Sequence, residues 1–298
     1  MSLDWIAIDW GSTRLRVWGL VGDRVVREAE SEDGMVTLSA ADFEPALLAL
    51  IDGWLTEGRV TPAFACGMVG SRQGWHETPY RTIPCAPSAT ELTAVLTQDP
   101  RLQVWIAPGL KQDKPADVMR GEETQVAGFL AQRPGWDGAI CLPGTHSKWV
   151  IFSAGEVISF QTFMTGEIFG LLSTASVLRH CVEGWDDTAF LAGVDLGFDR
   201  PDRLMARLFS IRAETILNDL DRAHARARLS GLLIGAELAV AKPYWSGQPV
   251  ALIGDTTLTR HYRAGLAHIG VSVEIGPAPE LTLAGLGMVR RLAQSERS

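Results

Sequence analysis

The sequence predicts an α/β protein made of two related domains. A hydrophobic strand, a glycine turn with hydroxyl residues and a second strand follow one another at residues 5–18, and the same order recurs at residues 139–152. The length of 298 residues, with 46% hydrophobic residues, is also sufficient for two hydrophobic cores. A polar break at residues 132–138 separates the repeats, so we place the domains at residues 1–134 and 135–298.

Composition and charge exclude several classes of protein. The net charge of −8 argues against general nucleic-acid binding. No stretch approaches the ~18 consecutive apolar residues of a membrane-spanning helix, and the first residues contain no basic leader. We therefore expect a cytoplasmic protein without membrane contact. Cys66, Cys85, Cys141 and Cys181 form no CxxC pair, so free thiols are expected rather than disulfides or a zinc site.

The first strand–turn–strand segment is a candidate ligand site. Alternating apolar residues lead to Asp9, and a carboxylate at the end of a buried strand can hold a hydrated Mg²⁺. The turn at Gly11, Ser12 and Thr13 offers backbone N–H groups and hydroxyls to phosphate oxygens. An ordinary N-terminal hairpin has the same pattern, so this segment alone does not decide between the two interpretations.

The elements after the first repeat are predicted from apolar spacing and turn residues. They are a third antiparallel strand at residues 24–29, a helix at 43–55, a buried strand at 61–66, a short helix at 89–96 and a strand that begins at residue 103. A hairpin, a strand, a helix and a returning strand in this order form one half of the predicted architecture.

A glycine-rich loop follows the strand at residues 61–66. Ligands of α/β sheets bind beyond the carboxyl ends of the strands, and this loop contains Ser71, Arg72, Gln73 and Trp75. Arg72 can pair with a carboxylate and Trp75 can pack on a carbon chain, while the other two side chains can bond hydroxyls. We therefore predict substrate contact here. The alternative is a plain surface loop with an exposed arginine.

Acidic residues mark the next helix, which is predicted to begin within residues 117–130. Its N-terminal turn contains Glu122 and Glu123, and Asp117 is close by. Acids in a first turn are favoured by the helix dipole by about 0.3–1 kcal/mol each, which explains them without catalysis. The functional interpretation is that one of the three accepts the proton of a substrate hydroxyl. Residue type does not choose among them.

The second repeat places Gly144, Thr145, His146 and Lys148 at or beside its turn. We expect this turn to bind phosphate, with Lys148 or His146 neutralising charge, although a structural hydrogen-bonding role for His146 is an equal alternative. Further on, Glu167 lies where a helix begins. It either contacts substrate or completes the helix cap, and capping is slightly favoured.

The last third of the chain is predicted to be mainly helical. Helices are expected at residues 190–197, 204–220 and 230–239. Gly231 and Gly235 lie on one face of the last of these, where they permit close packing. A buried strand then ends in the turn Gly254, Asp255 and Thr256 at a helix start, a position that suits the phosphates or ribose of a nucleotide.

Together these motifs resemble a known superfamily. Two phosphate-type hairpins, each opening half of a chain, are similar to the sugar kinase/Hsp70/actin superfamily, whose two actin-like ATPase domains, of ribonuclease H type, flank a nucleotide cleft. More narrowly, four motifs resemble those of the 2-dehydro-3-deoxygalactonokinase family, and the resemblance runs nearly end to end. These motifs occupy residues 9–13, 66–75, 120–125 and 142–149.

The resemblance implies ATP-dependent phosphorylation of the 6-hydroxyl of 2-dehydro-3-deoxy-D-galactonate, a small sugar acid, with ATP and Mg²⁺ as cofactors. It implies that Glu122 or Glu123 is the base, that Arg72 anchors the substrate carboxylate and that residues 254–256 contact adenosine. A kinase for another sugar acid or hexose, and an ATPase switch of actin or chaperone type, are the alternatives. The sequence leaves the oligomeric state open, a homo-oligomer included.

Overall fold

The computed structural model describes residues 2–88 and 91–295. The chain divides into two compact units. The first contains the chain through Trp136, the segment Ala154–Ser159 and the chain from Ala278 onward. The second contains Asp137–Ser153 and Phe160–Pro277. Among the described helices, none combines the length and apolar character that a bilayer crossing requires.

A mixed sheet forms the centre of the first unit. Its strand order is β3-β2-β1-β4-β7-β6, with β1, β4 and β7 parallel to one another. The strands are β1 (Trp5–Trp10), β2 (Leu15–Val21), β3 (Arg24–Ser31), β4 (Thr61–Gly67), β6 (Thr93–Val95) and β7 (Leu102–Ile106). The predicted opening hairpin, third strand and returning strand are confirmed.

The short helix predicted at residues 89–96 is wrong. Thr93–Val95 instead pairs with β7 as an antiparallel edge strand, because cross-strand pairing outweighs local helical spacing in so short a segment. The first two residues of that prediction lie outside the described residues. A small separate sheet contains β5 (Tyr80–Thr82), β8 (Gly109–Asp113) and β9 (Ala116–Met119).

Both faces of the first sheet are covered by helices. Ile6, Ile8 and Trp10 of β1 share a core with α1 (Phe43–Ile51), whereas Trp5 and Ala7 face α9 (Ala278–Ser295). Burial on both faces explains why β1 is apolar at nearly every position. The helix α2 (Glu122–Gln132) packs against α9.

The second unit repeats the strand order of the first. Its sheet has the order β12-β11-β10-β13-β14, and β10, β13 and β14 are parallel. The strands are β10 (Gly138–Leu142), β11 (Ser147–Ser153), β12 (Glu156–Phe163), β13 (Val250–Gly254) and β14 (Glu274–Pro277). The orders β3-β2-β1-β4-β7 and β12-β11-β10-β13-β14 match, and in each of these series the last three strands are parallel and the middle strand is antiparallel to its hairpin partner. The two units are therefore related, as the repeated hairpins predict.

Six of the described α-helices belong to the second unit. They are α3 (Thr165–Thr174), α4 (Asp187–Asp199), α5 (Leu204–Leu217), α6 (Arg222–Val240), α7 (Lys242–Trp245) and α8 (Thr256–His268). Gly231 and Gly235 of α6 meet the backbone of α4, and a β-carbon on Gly235 would lie 2.3 Å from the carbonyl oxygen of Val194. The predicted close packing at these glycines is therefore confirmed.

Candidate active site

The first turn (residues 11–14) connects β1 to β2. Its Gly11 N–H donates to the carbonyl of Arg14 at 2.9 Å, and the Gly11 carbonyl accepts from Met35 N–H at 3.0 Å. Ser12 and Thr13 are exposed. The turn is therefore fixed through its backbone while the two predicted phosphate-binding hydroxyl residues remain accessible.

Asp9 lies at the end of β1, opposite Arg16 on β2 and Cys66 on β4. Burial raises the pKa of its carboxyl, the charge of Arg16 opposes this effect, and the charge of Glu122 adds to it. Asp9 and Glu122 are thus electrostatically coupled, although the sequence separates them widely. The structure brings the predicted metal-holding acid and a candidate base into one place.

A close backbone approach positions the two glutamates. Gly67 ends β4 with φ +92°, and a β-carbon on Gly121 would lie 3.2 Å from its α-carbon. Gly121, with φ +101°, precedes the first residue of α2. Both positive φ values favour glycine. The start of α2 is therefore held against the end of β4, beside Asp9.

Glu122 and Glu123 differ in burial. Glu123 is 2% exposed, and its carboxylate accepts from Gly121 N–H at 2.7 Å and from the Thr124 hydroxyl at 3.0 Å. Burial, followed by the charge of Glu122, raises the pKa of Glu123 to about 7. Glu122 is only partly buried, and its carboxylate accepts from Arg120 N–H at 3.0 Å. Asp117, the third candidate, lies on β9.

The glycine-rich loop (residues 67–78) holds its four predicted substrate residues in different environments. Arg72 and Gln73 are exposed, and Arg72 forms no ion pair with the residues that the structure describes. Ser71 is 5% exposed, and its hydroxyl has no hydrogen-bond partner among those same residues. The Trp75 ring stacks on Phe43 at 6.3 Å and meets Trp10 edge-on at 6.1 Å. The Trp75 ring therefore packs against the hydrophobic core of the first unit.

Arg120 is a residue at this site that the sequence analysis did not assign. It is 7% exposed and its guanidinium donates to the hydroxyl of Thr78 and, at 2.9 Å, to its carbonyl. The Thr78 N–H in turn donates to the carbonyl of Gly70 at 2.9 Å. Arg120 thus ties the glycine-rich loop to the start of α2. An arginine two residues before paired acids was the available signal.

The second turn (residues 143–147) connects β10 to β11 in the second unit. The first residues of α3 pack on it, since a β-carbon on Gly166 would lie 2.3 Å from the carbonyl oxygen of Gly144. Glu167 N–H donates to the carbonyl of Thr145 at 2.9 Å. The Lys148 ammonium donates to the carbonyl of His146 at 3.2 Å, and the residue as a whole is 6% exposed.

The predicted cap role of Glu167 is wrong. Met164 occupies the N-cap of α3, and its side chain makes no cap hydrogen bond. The Glu167 carboxylate instead pairs with His146 Nε2 at 2.6 Å. Because the second turn packs directly on the start of α3, the Glu167 carboxylate pairs with His146 of that turn instead of bonding the helix N-terminus.

The turn at Gly254, Asp255 and Thr256 lies beside the second turn. A β-carbon on Gly254 would be 3.1 Å from the Pro143 carbonyl oxygen. Asp255 caps α8 by accepting from Thr257 N–H at 2.9 Å. Asp255 also lines a cavity of about 420 Å³, together with Thr165, Arg226, Trp185 and other residues of the second unit. The Trp185 and His261 rings stack at 4.0 Å on its wall.

A buried hydrogen-bond cluster lies beneath the second turn, and the sequence analysis did not assign it. Glu237 of α6 accepts from Trp149 Nε1 at 2.9 Å and from the Tyr262 hydroxyl at 2.7 Å. The Ser147 hydroxyl donates to the Tyr262 oxygen at 2.7 Å, and the Thr165 and Ser147 hydroxyls help to lower the pKa of Glu237. A single acid within an apolar helical stretch was the signal, because a buried carboxylate needs partners.

Comparison with known proteins identifies the family. The 2-keto-3-deoxy-galactonokinase family model matches residues 9–289, which include both turns and the two glutamates. The chain belongs to this family. A relative is the 2-dehydro-3-deoxygalactonokinase of Escherichia coli (strain K12). The two sequences are 36% identical over 280 residues, a match that covers 92% of each chain. Members of the family are kinases that act on an alcohol group, so the predicted enzyme class is confirmed.

Solved structures agree with this assignment. A crystal structure of a Sinorhizobium meliloti protein, provisionally named 2-dehydro-3-deoxygalactonokinase, is 37% identical with a TM-score of 0.90, covering 96% of this chain and 98% of that one. Component A of (R)-2-hydroxyglutaryl-CoA dehydratase from Acidaminococcus fermentans is 15% identical with a TM-score of 0.55, covering 98% and 100%, and shows the fold alone. The predicted actin-like α/β fold of this kinase family is confirmed.

Proposed function

We propose that the chain transfers the terminal phosphoryl group of ATP to the 6-hydroxyl of 2-dehydro-3-deoxy-D-galactonate, a step of galactonate catabolism. The observation that carries the proposal is the family match over residues 9–289. The relative in Escherichia coli is named for this activity. The acid cluster of the first unit and the phosphate-type turn of the second provide the groups that such a reaction needs.

Glu122 is the base in this proposal. It is partly exposed, whereas Glu123 is 2% exposed with both carboxylate oxygens hydrogen-bonded inside the first unit. A base must reach the proton that it removes. Glu122 takes the proton of the 6-hydroxyl as the new oxygen–phosphorus bond forms, and the bond from phosphorus to the ADP oxygen breaks. Glu123 keeps the start of α2 in place.

Substrate is held by the glycine-rich loop. The exposed Arg72, without an ion pair to the described residues, can receive the substrate carboxylate in a bidentate pair. Gln73 and the Ser71 hydroxyl, which has no hydrogen-bond partner among the described residues, are donors for substrate hydroxyls. Trp75 remains a proposed substrate contact through its accessible edge.

The nucleotide binds to the second unit. Gly144, Thr145 and Lys148 bind phosphate oxygens, with His146 oriented by Glu167. The 420 Å³ cavity beside Asp255 has the size of a small-molecule site and aromatic walls suited to a purine ring. Gly254 and Thr256 then lie near the ribose. In the first unit, Gly11, Ser12 and Thr13 provide a second set of phosphate donors.

A magnesium ion fits the donors of the first unit. No group of three or more metal-ligating side chains occurs among the described residues. Asp9, coupled to Glu122, provides one carboxylate at the turn. This matches Mg²⁺, which keeps several waters and binds through one or two carboxylates and the substrate phosphates. Asp9 would hold the ion through water, where it would neutralise phosphate charge.

The decisive experiment is ADP-coupled turnover of the purified protein with 2-dehydro-3-deoxy-D-galactonate and its gluconate epimer side by side. We expect rapid turnover with the galactonate compound and little with its epimer. Preference for the gluconate epimer or a hexose would replace the substrate assignment. ATP hydrolysis at the same rate without any sugar acid would contradict a kinase function.

A further inference from the structure

Glu237 is a buried acid that the proposed reaction does not use. It is 3% exposed, and it forms no ion pair with the described residues. Burial raises the pKa of its carboxyl, and the hydrogen bonds that it accepts oppose this effect. An unpaired carboxylate inside a protein is costly unless its oxygens are well bonded. Its presence in the core of the second unit therefore requires an explanation.

The partners of Glu237 lie on both sides of the second turn. Ser147 is the last residue of the turn, is fully buried, and lies 2.7 Å from the Tyr262 hydroxyl, which donates to Glu237. Thr165 begins α3, and the next two residues of that helix contact the turn at Gly144 and Thr145. One carboxylate thus connects the end of the turn to the helix packed against it.

The helix that carries Glu237 is itself firmly placed. Gly231 and Gly235 allow α6 to touch the backbone of α4, with a β-carbon on Gly231 only 2.1 Å from the Phe190 carbonyl oxygen. Glu237 follows Gly235 by two residues, so it lies on another face of α6 and reaches Trp149 of β11. The carboxylate is therefore a fixed point to which the turn is bonded.

A carboxylate suits this task better than any neutral side chain. It is acceptor-only, with about four lone-pair sites. The Trp149 indole N–H and the Tyr262 hydroxyl donate to it, Ser147 bonds it through Tyr262, and the Thr165 hydroxyl is a further donor beside it. A glutamine would turn an amide donor towards some of these donors, and so would lose part of the cluster.

We propose that Glu237 is a positioning residue that holds the second turn in the geometry that binds the ATP phosphates. This inference rests on the proposed function, because it assumes that the second turn binds ATP. Its consequence is specific: loss of the carboxylate weakens ATP binding and leaves binding of the sugar acid to the first unit unchanged.

The test compares Glu237→Gln with two matched tryptophan variants. Trp149→Phe removes the buried indole donor to Glu237, and Trp245→Phe removes a buried indole donor, also at 2.9 Å, to the carbonyl of Leu238 instead. Both lose one indole hydrogen bond within the second unit. The dissociation constant for ATP is measured by calorimetry, the KM for the sugar acid at saturating ATP, and the Tm by thermal unfolding.

We expect Glu237→Gln to raise the dissociation constant for ATP roughly tenfold and Trp149→Phe about threefold, as lost buried hydrogen bonds imply. Trp245→Phe lowers Tm but leaves ATP affinity unchanged. If Glu237→Gln does not fold, the comparison of ATP affinity between Trp149→Phe and Trp245→Phe still tests the inference. Equal ATP affinity in all variants that fold overturns the inference alone, whereas a wild-type protein that binds no ATP overturns the proposed function as well.

Discussion

The two turns occupy equivalent places in the two units but have different surroundings. Each connects a central strand to its antiparallel neighbour, and each lies beside a glycine that ends the adjacent parallel strand. Gly67 abuts the Trp10 carbonyl in the first unit, and Gly254 abuts the Pro143 carbonyl in the second. The repeated backbone therefore sets where a ligand can bind, while the side chains around it decide the chemistry.

The difference lies in charge. Around the first turn are Asp9, Glu122 and Glu123, whose charges affect one another. At the corresponding place before the second turn stands the buried Leu142, and the acid beneath that turn, Glu237, is bonded by hydroxyls and an indole. An acid cluster suits a metal ion and proton removal, whereas a turn with hydroxyls and Lys148 suits anions.

Asp9→Asn should have the largest effect. We expect kcat to fall by about 10³-fold, because the side chain that would hold Mg²⁺ loses its charge. Tm should stay equal or rise, since the pKa of Asp9 is already raised by burial and by Glu122. Turnover by ADP release and thermal unfolding measure the two effects. A near-normal kcat would show that Asp9 does not hold the metal ion.

Glu122→Gln and Glu123→Gln separate the base from its neighbour. The first should reduce kcat by roughly 10²–10⁴-fold, as loss of a general base does, and the second by less than about tenfold because its carboxylate is enclosed. Asp117→Asn serves as the control and should leave kcat unchanged. A larger loss of kcat in Glu123→Gln than in Glu122→Gln would identify Glu123 as the base.

The stability of the first unit should depend on pH through Glu123. Its pKa is raised from 4.5 to about 7 in the folded state, so stability from this group is present below pH 4.5 and lost as the pH rises to 7. Relative to Glu123→Gln, the wild-type free energy of unfolding should fall by about 3 kcal/mol over this interval. Urea denaturation at several pH values measures it. A constant difference would mean that Glu123 is already ionised at low pH.

In the second turn, Lys148 should matter more than His146. Lys148→Met is expected to lower kcat/KM for ATP by about 10²-fold, because a buried positive charge near phosphate is lost. His146→Ala should cost less than about fivefold, since its pair with Glu167 is half-exposed. Initial rates measured over a range of ATP concentrations give kcat/KM for each variant. The reverse order would make His146 the phosphate-neutralising residue.

The two equivalent glycines provide the smallest and most direct comparison. Gly67→Ala should lower the free energy of unfolding by about 2 kcal/mol, because φ is +92° and the new β-carbon would lie 2.6 Å from the Trp10 carbonyl oxygen. Gly254→Ala should cost less than about 1 kcal/mol, since its nearest approach is 3.0 Å. Urea midpoints measure both. Equal losses would show that the turns are equally tight.

Local patterns in the sequence predicted most of the fold. Apolar alternation and turn residues indicated β1 to β4 and the second hairpin, because strand period and turn chemistry are properties of neighbouring residues. The glycines of α6 were predicted to pack closely for the same reason. The prediction failed at residues 93–95, where pairing with β7 made an edge strand, and at Glu167, which bonds His146.

The sequence by itself determined the repeated hairpins, the hydroxyl turns, the acids at the start of α2 and the family resemblance. Only the tertiary structure separated Glu122 from Glu123, because burial depends on how Gly67 meets Gly121. It also revealed Glu237, whose partner Trp149 is 88 residues away in the chain. A carboxylate's role depends on its burial and on its donors, and both come from distant segments that folding brings together.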